Sequence, residues 1–138
     1  MAKTVADIMT TQPAAVEADQ PVSVAAALMR DNDAGAVIVN DNGRVSGIVT
    51  DRDIAVRVVA TEKGPDTPVR EACSPSVETV GPDTSVDQAV QLMRANAVRR
   101  LPVVEKGQAV GIVSLGDLAV ERDPESALGD ISAARGND

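Results

Sequence analysis

The 138-residue sequence predicts an α/β fold in which two β-α-β-β-α repeats pack through their sheets into one pseudo-twofold module. Three observations carry this. A displacement of 64 residues lays Val5–Val56 on Val69–Val120 without a gap. Each copy holds an apolar stripe at helical spacing, and each follows it with two short apolar runs around a turn-rich stretch.

The elements follow in chain order. Short strands near Ala15–Val16 and Thr79–Val80 open the two repeats. Asp19 and Asp83 are placed to cap helices spanning roughly Pro21–Asp31 and Ser85–Ala95. Val22, Ala25, Leu28 and Met29 recur as Val86, Ala89, Leu92 and Met93, one face of each helix. A β-hairpin is then expected from Ala36–Val39 and Val45–Val49 around Asn40-Asp41-Asn42-Gly43. Its counterpart runs from Leu101–Val104 to Ala109–Val113 around Glu105-Lys106-Gly107-Gln108. A last helix begins near Asp51 in one copy and near Leu115 in the other. The strands are apolar on both faces, so helices should cover one face and the other repeat the opposite one. The organisation expected is repeat 1 over residues 5–60, a Gly/Pro-rich linker over 61–68, repeat 2 over 69–122, and an acidic tail over 123–138. Within that tail Ala127–Ala134 has the composition of a short helix, although a mobile end is the stronger expectation.

Composition narrows the function. The chain has no Phe, Trp or Tyr, so Val, Ile, Leu, Met and Ala must build the core. A net charge of −8 repels nucleic-acid backbones and anionic membranes, and no aromatic ring is available to stack on a base. One cysteine, Cys73, and no histidine exclude an intrachain disulfide framework and a His/Cys zinc cluster. Cys73 occupies the place of Met9, which points to a small apolar packing role. No stretch approaches the length of a membrane span, and a cytoplasmic protein is expected. Acid–base catalysis near neutral pH lacks its usual histidine, and no nucleophile–base pair stands out, so the chain is not expected to be an enzyme.

Two octapeptides remain. Gly47-Ile48-Val49-Thr50-Asp51-Arg52-Asp53-Ile54 and Gly111-Ile112-Val113-Ser114-Leu115-Gly116-Asp117-Leu118 each follow a hairpin and enter a helix. A hydroxyl at that entry can cap the helix or share its amide donors with a phosphate. Asp53 and Asp117, one turn later, can complete a capping box or accept bonds from the vicinal hydroxyls of a ribose. Spacing alone leaves both readings open.

These motifs in a gapless tandem repeat, with Arg99-Arg100-Leu101-Pro102-Val103-Val104 ahead of the second, resemble the CBS domain family. The resemblance runs from Val5 to about Arg122 and extends to small stand-alone actinobacterial CBS proteins of the hypoxic response type. It implies a regulatory pair that binds AMP, ADP or ATP in a cleft between repeats: Thr50 and Ser114 toward phosphate, Asp53 and Asp117 toward ribose. It further implies that Arg100 reaches the phosphates, against the alternative of a surface ion pair. The first repeat has Gly35-Ala36 where the second has Arg99-Arg100, and Arg52 is the charge that could compensate. Unequal clefts are therefore expected. The resemblance also implies a homodimer formed through helical faces and an effector protein that receives the signal. A ligand-free dimeric stress-response scaffold, or an S-adenosylmethionine or dinucleotide binder, are the alternatives.

Overall fold

The computed structural model describes residues 3–73 and 78–122. The expected acidic tail, with its short helix, lies outside those residues.

The two copies fold into two compact units that are out of phase with the linear repeat. One combines residues 3–12 with 78–122, and the other spans residues 13–73. The opening segment of each repeat therefore serves the core built by the other repeat's strands and helices. Val5, in a short 3-10 helix over Val5–Asp7, packs with Val80, Val86, Leu101 and Val113. Val69, in the matching 3-10 helix Val69–Glu71, packs with Val16, Val22, Val37 and Val49. The offset alignment cannot reveal this exchange, because it preserves which residues match but not which core each one enters.

The unit over residues 13–73 holds strand β2 (Ala15–Glu17), helix α1 (Val22–Asn32), strands β3 (Ala36–Asp41) and β4 (Arg44–Thr50), and helix α2 (Asp51–Ile54). The other unit holds β1 (Thr10–Thr11), α3 (Val86–Asn96), β5 (Arg100–Glu105), β6 (Gln108–Ser114) and α4 (Leu115–Arg122). Each contains a three-stranded sheet, β2-β3-β4 in one and β1-β6-β5 in the other. Parallel pairing of β2 with β3 is echoed by a single bridge from Val80 to Val103, so the opening strand shrinks to one residue in the second copy.

The hairpins agree residue for residue. β3 meets β4 from Ala36↔Thr50 to Asp41↔Arg44, and β5 meets β6 from Arg100↔Ser114 to Glu105↔Gln108. The ladder slips at the same place in both, after Val39 and after Val103. Both turns use two residues at positive φ, Asn42 and Gly43 at 53° and 78°, Lys106 and Gly107 at 55° and 82°. That geometry matches the twist of the flanking strands and is the reason for glycine at the second position.

Helix entry departs from expectation. Asp19 and Asp83 are not caps; they sit in turns two or three residues upstream. The cap of α1 is Pro21, and its first amides are held by the segment read as a linker, Val22 N–H to Thr67 O at 2.8 Å and Ser23 N–H to Pro65 O at 3.2 Å. α3 is capped by Ser85, whose hydroxyl accepts from Gln88 N–H at 3.1 Å while Gln88 Oε1 accepts from Ser85 N–H at 3.1 Å. Asp19 and Asp83 lie within tight turns, closed by Gln20 N–H to Glu17 O and Thr84 N–H to Gly81 O, that separate strand from helix. Among the described residues no helix is long and apolar enough to cross a membrane.

α3 ends on Ala97 in the left-handed region, φ 53°. A Cβ there clashes with the following carbonyl. Ala97→Gly is expected to stabilise the chain by about 0.5–1 kcal/mol, read as a higher urea midpoint at unchanged slope.

Candidate functional site

Each unit has one mouth where a hairpin strand hands over to a helix. In the unit over residues 13–73, Thr50 closes β4 and caps α2. Its hydroxyl accepts from Asp53 N–H at 3.0 Å, and its own N–H donates to Asp53 Oδ2 at 2.9 Å. In the other unit, Ser114 Oγ accepts from Asp117 N–H at 3.2 Å, and Ser114 N–H donates to Asp117 Oδ2 at 2.9 Å. Both motifs are thus complete capping boxes. The capping reading of Thr50, Asp53, Ser114 and Asp117 holds in full, and the four side chains are half-buried. Each box uses one carboxylate oxygen and one hydroxyl lone pair. It leaves the other oxygen, Oδ1, and the hydroxyl proton outside its own two bonds.

The mouths differ in what faces the hydroxyl across the ladder. Arg100 is the direct partner of Ser114, and Ala36 is the direct partner of Thr50. Directly opposed residues project to one face of a sheet with Cβ atoms about 5 Å apart. Arg100 therefore lies across the ladder from the Ser114 that caps α4, while Thr50 has Ala36 there. The strand ends are pinned alike, Leu115 N–H to Arg99 O at 2.8 Å and Asp51 N–H to Gly35 O at 3.0 Å. Arg100 is half-buried, and among the described residues neither Arg100 nor Arg52 enters an ion pair. Arg52 is exposed on α2. Among the described residues its contact is through its amide, which donates to Asp51 Oδ1 at 2.8 Å, and no bond joins its guanidinium to Thr50 or Asp53. The turns alone would oppose Arg100 to Val113 and Ala36 to Val49; the slip after Val103 and after Val39 is what brings Arg100 opposite Ser114 and Ala36 opposite Thr50. Arg52 stands apart from Thr50 because residues two apart at a helix start do not share a face.

Sequence reasoning missed the form of the helix behind the first mouth. α2 lasts one turn and widens into a π-helix over Ala55–Val59, where Ala60 N–H reaches Ala55 O at 2.9 Å. Val56 and Val59 stand 47% and 67% exposed on it, an apolar surface for which the alignment with the regular α4 gives no signal.

Cys73 packs against the core of residues 13–73 and is half-buried. Burial pushes its thiol above the usual range; the charge of Asp53 adds to the shift, and Arg57 and Arg70 oppose it. Only the thiolate is a strong nucleophile. Cys73 is therefore expected to react with iodoacetamide more slowly than free cysteine at neutral pH, and at an ordinary rate in urea. Faster reaction than free cysteine in the folded state would contradict the packing role. Among the described residues no cluster of three or more Cys, Asp or Glu could hold a metal ion.

Comparison with known proteins shows one family. The CBS domain family matches residues 5–60 and 69–122. A CBS domain-containing protein of Bacillus subtilis, YhcV, is 42% identical over 125 residues, covering 91% of this chain and 89% of its own. Hypoxic response protein 1 of Mycobacterium tuberculosis is 34% identical over 127 residues, covering 91% and 88%. Among solved structures, a CBS-domain signal-transduction protein from Burkholderia ambifaria superposes with a TM-score of 0.80 at 33% identity, covering 90% and 96%. A structure of hypoxic response protein I with two coordinated zinc ions gives 0.77 at 31%, covering 85% and 97%.

Proposed function

The chain belongs to the CBS domain family as a tandem regulatory pair, and from that premise we propose that it senses an adenosine nucleotide and signals to a partner protein in the cytoplasm. The observation that carries this reading is the register that sets Arg100 opposite Ser114, the residue whose N–H holds Asp117. A guanidinium is suited to a phosphate, and the free oxygen of a capping aspartate to a ribose hydroxyl. The unit over residues 13–73 offers the hydroxyl and carboxylate with Ala36 across the ladder, so it is read as the weaker site. A ligand that binds one shape of the module more tightly than another shifts the population between them, and that differential affinity is all the signalling requires.

The capping boxes also support a second reading. They are complete without any ligand, so the module can stand as a ligand-free dimeric scaffold. The exposed Val56 and Val59 favour self-association in either case. The solved hypoxic response protein I holds two coordinated zinc ions; a zinc site in this chain would have to draw on carboxylates and Cys73, because it has no histidine.

The absence of Trp, Tyr and Phe supplies a direct test. Purified, desalted protein absorbs almost nothing where adenine absorbs, so AMP, ADP or ATP added and then gel-filtered with the protein appears as an adenine band at the protein's elution volume. An adenine band there supports the sensor; none with any of the three nucleotides, for protein that elutes as a dimer, supports the scaffold.

A further inference from the structure

The unit containing residues 78–122 holds a cavity of about 670 Å³ between the outer side of α3 and the strand segment through Val80. It shares no residue with either capping-box mouth. Its wall carries Thr79, Gly81, Thr84, Gln88, Gln91 and Ala95, with Val80, Leu92 and Val104 as apolar floor. Among the described residues no ionisable side chain lines it, in a chain with 21 acidic and 13 basic residues. At the matching positions 64 residues earlier stand Glu17 for Gly81, Val24 for Gln88, Ala27 for Gln91 and Asp31 for Ala95. The second copy has thus exchanged two carboxylates for the smallest side chains and two aliphatic residues for amides, all around one cavity.

The wall is polar but uncharged. Thr84 Oγ1 already accepts from Gly81 N–H at 3.1 Å. Gln88 Oε1 already accepts from Ser85 N–H at 3.1 Å and from the Ser85 hydroxyl at 3.3 Å. Gln88 therefore turns its side-chain NH2 to the cavity, Thr84 its hydroxyl proton and one remaining lone pair, and Thr79 and Gln91 bring a further hydroxyl and amide. Among the described residues a cation meets no carboxylate here, and an anion meets no counter-charge in a protein of net charge −8. The volume falls within the roughly 300–1,000 Å³ of small-molecule sites. We infer that this cavity is a second binding site, for a small uncharged molecule that carries hydrogen-bonding groups on a flat apolar body, as a nucleobase or a lactam does.

The test uses the full chain and two neutral probes, uracil and N-methylpyrrolidone, followed by heteronuclear NMR. Saturable shifts are expected at the Gly81 and Thr84 amides and at the Gln88 side-chain NH2. The variant Gly81→Glu/Ala95→Asp restores the residues of the first copy and is expected to weaken binding at least tenfold. Room exists for it, because a Cβ on Gly81 meets nothing nearer than 4.0 Å and Ala95 is exposed. If the double variant melts early, Ala95→Asp alone provides the comparison. Absence of saturable shifts with both probes at millimolar concentration, or undiminished binding by the folded variant, overturns the assignment.

Discussion

An Arg100→Ala variant is expected to lose about 10- to 150-fold of its affinity for AMP while binding adenosine as the unaltered chain does. The range follows from the roughly 1.5–3 kcal/mol carried by a hydrogen bond to a charged group, at 1.4 kcal/mol per tenfold. Adenosine is the internal control because it keeps the ribose and base and lacks the phosphate. Stability should hardly move: Arg100 is outside the capping box and enters no ion pair among the described residues. Asp117→Ala should behave differently. It removes both a helix cap, at about 0.5–2 kcal/mol, and the proposed ribose acceptor, so AMP and adenosine should weaken together. Equal loss of both ligands in Arg100→Ala would remove the phosphate role. The converse variant, Ala36→Arg, places the guanidinium opposite Thr50 and is expected to strengthen AMP binding at the first mouth.

The second large effect is on stability. Leu101→Ala is expected to cost about 2–5 kcal/mol, a major fraction of the roughly 5–15 kcal/mol that holds a domain of this kind together. Leu101 is fully buried in the cluster with Val5, Val80, Val86 and Val113. No aromatic ring is present to close over the void, and the neighbouring valines are stiff at χ1. Urea unfolding followed by far-ultraviolet circular dichroism should show the midpoint falling with an unchanged slope. Val5→Ala should also be costly despite its place near the chain start, because Val5 is fully buried in the same cluster. A harmless Val5→Ala would contradict the exchange of leading segments between the units.

Much of this was legible in the residues because the repeat is written at positions that constrain backbone. Gly43 and Gly107 mark the turns, Gly47 and Gly111 the strands that follow, and the Val22-Ala25-Leu28-Met29 stripe the buried helix face. Gly111 is required more sharply than a turn argument suggests: a Cβ there would press into the Met9 side chain and lie 2.9 Å from Thr10 O, where β1 crosses β6. What escaped was whatever depends on partners far along the chain. The caps of α1 and α3 fell on Pro21 and Ser85, because the turns closed at Glu17–Gln20 and Gly81–Thr84 push the helix start downstream of Asp19 and Asp83. The segment expected to be a loose linker supplies carbonyls to α1, and its Thr67 is buried. Of the candidate site, the motif spacing gave the capping geometry, but the asymmetry between mouths became a physical statement only through the ladder that opposes Arg100 to Ser114 and Ala36 to Thr50.

The most direct measurement is calorimetric titration of the dialysed chain with AMP, repeated with adenosine. Saturable binding of AMP, tighter than adenosine and reduced toward it by Arg100→Ala, is the expected result. No heat and no binding with AMP, ADP or ATP at millimolar concentration would contradict the nucleotide-sensing role and leave the module a scaffold.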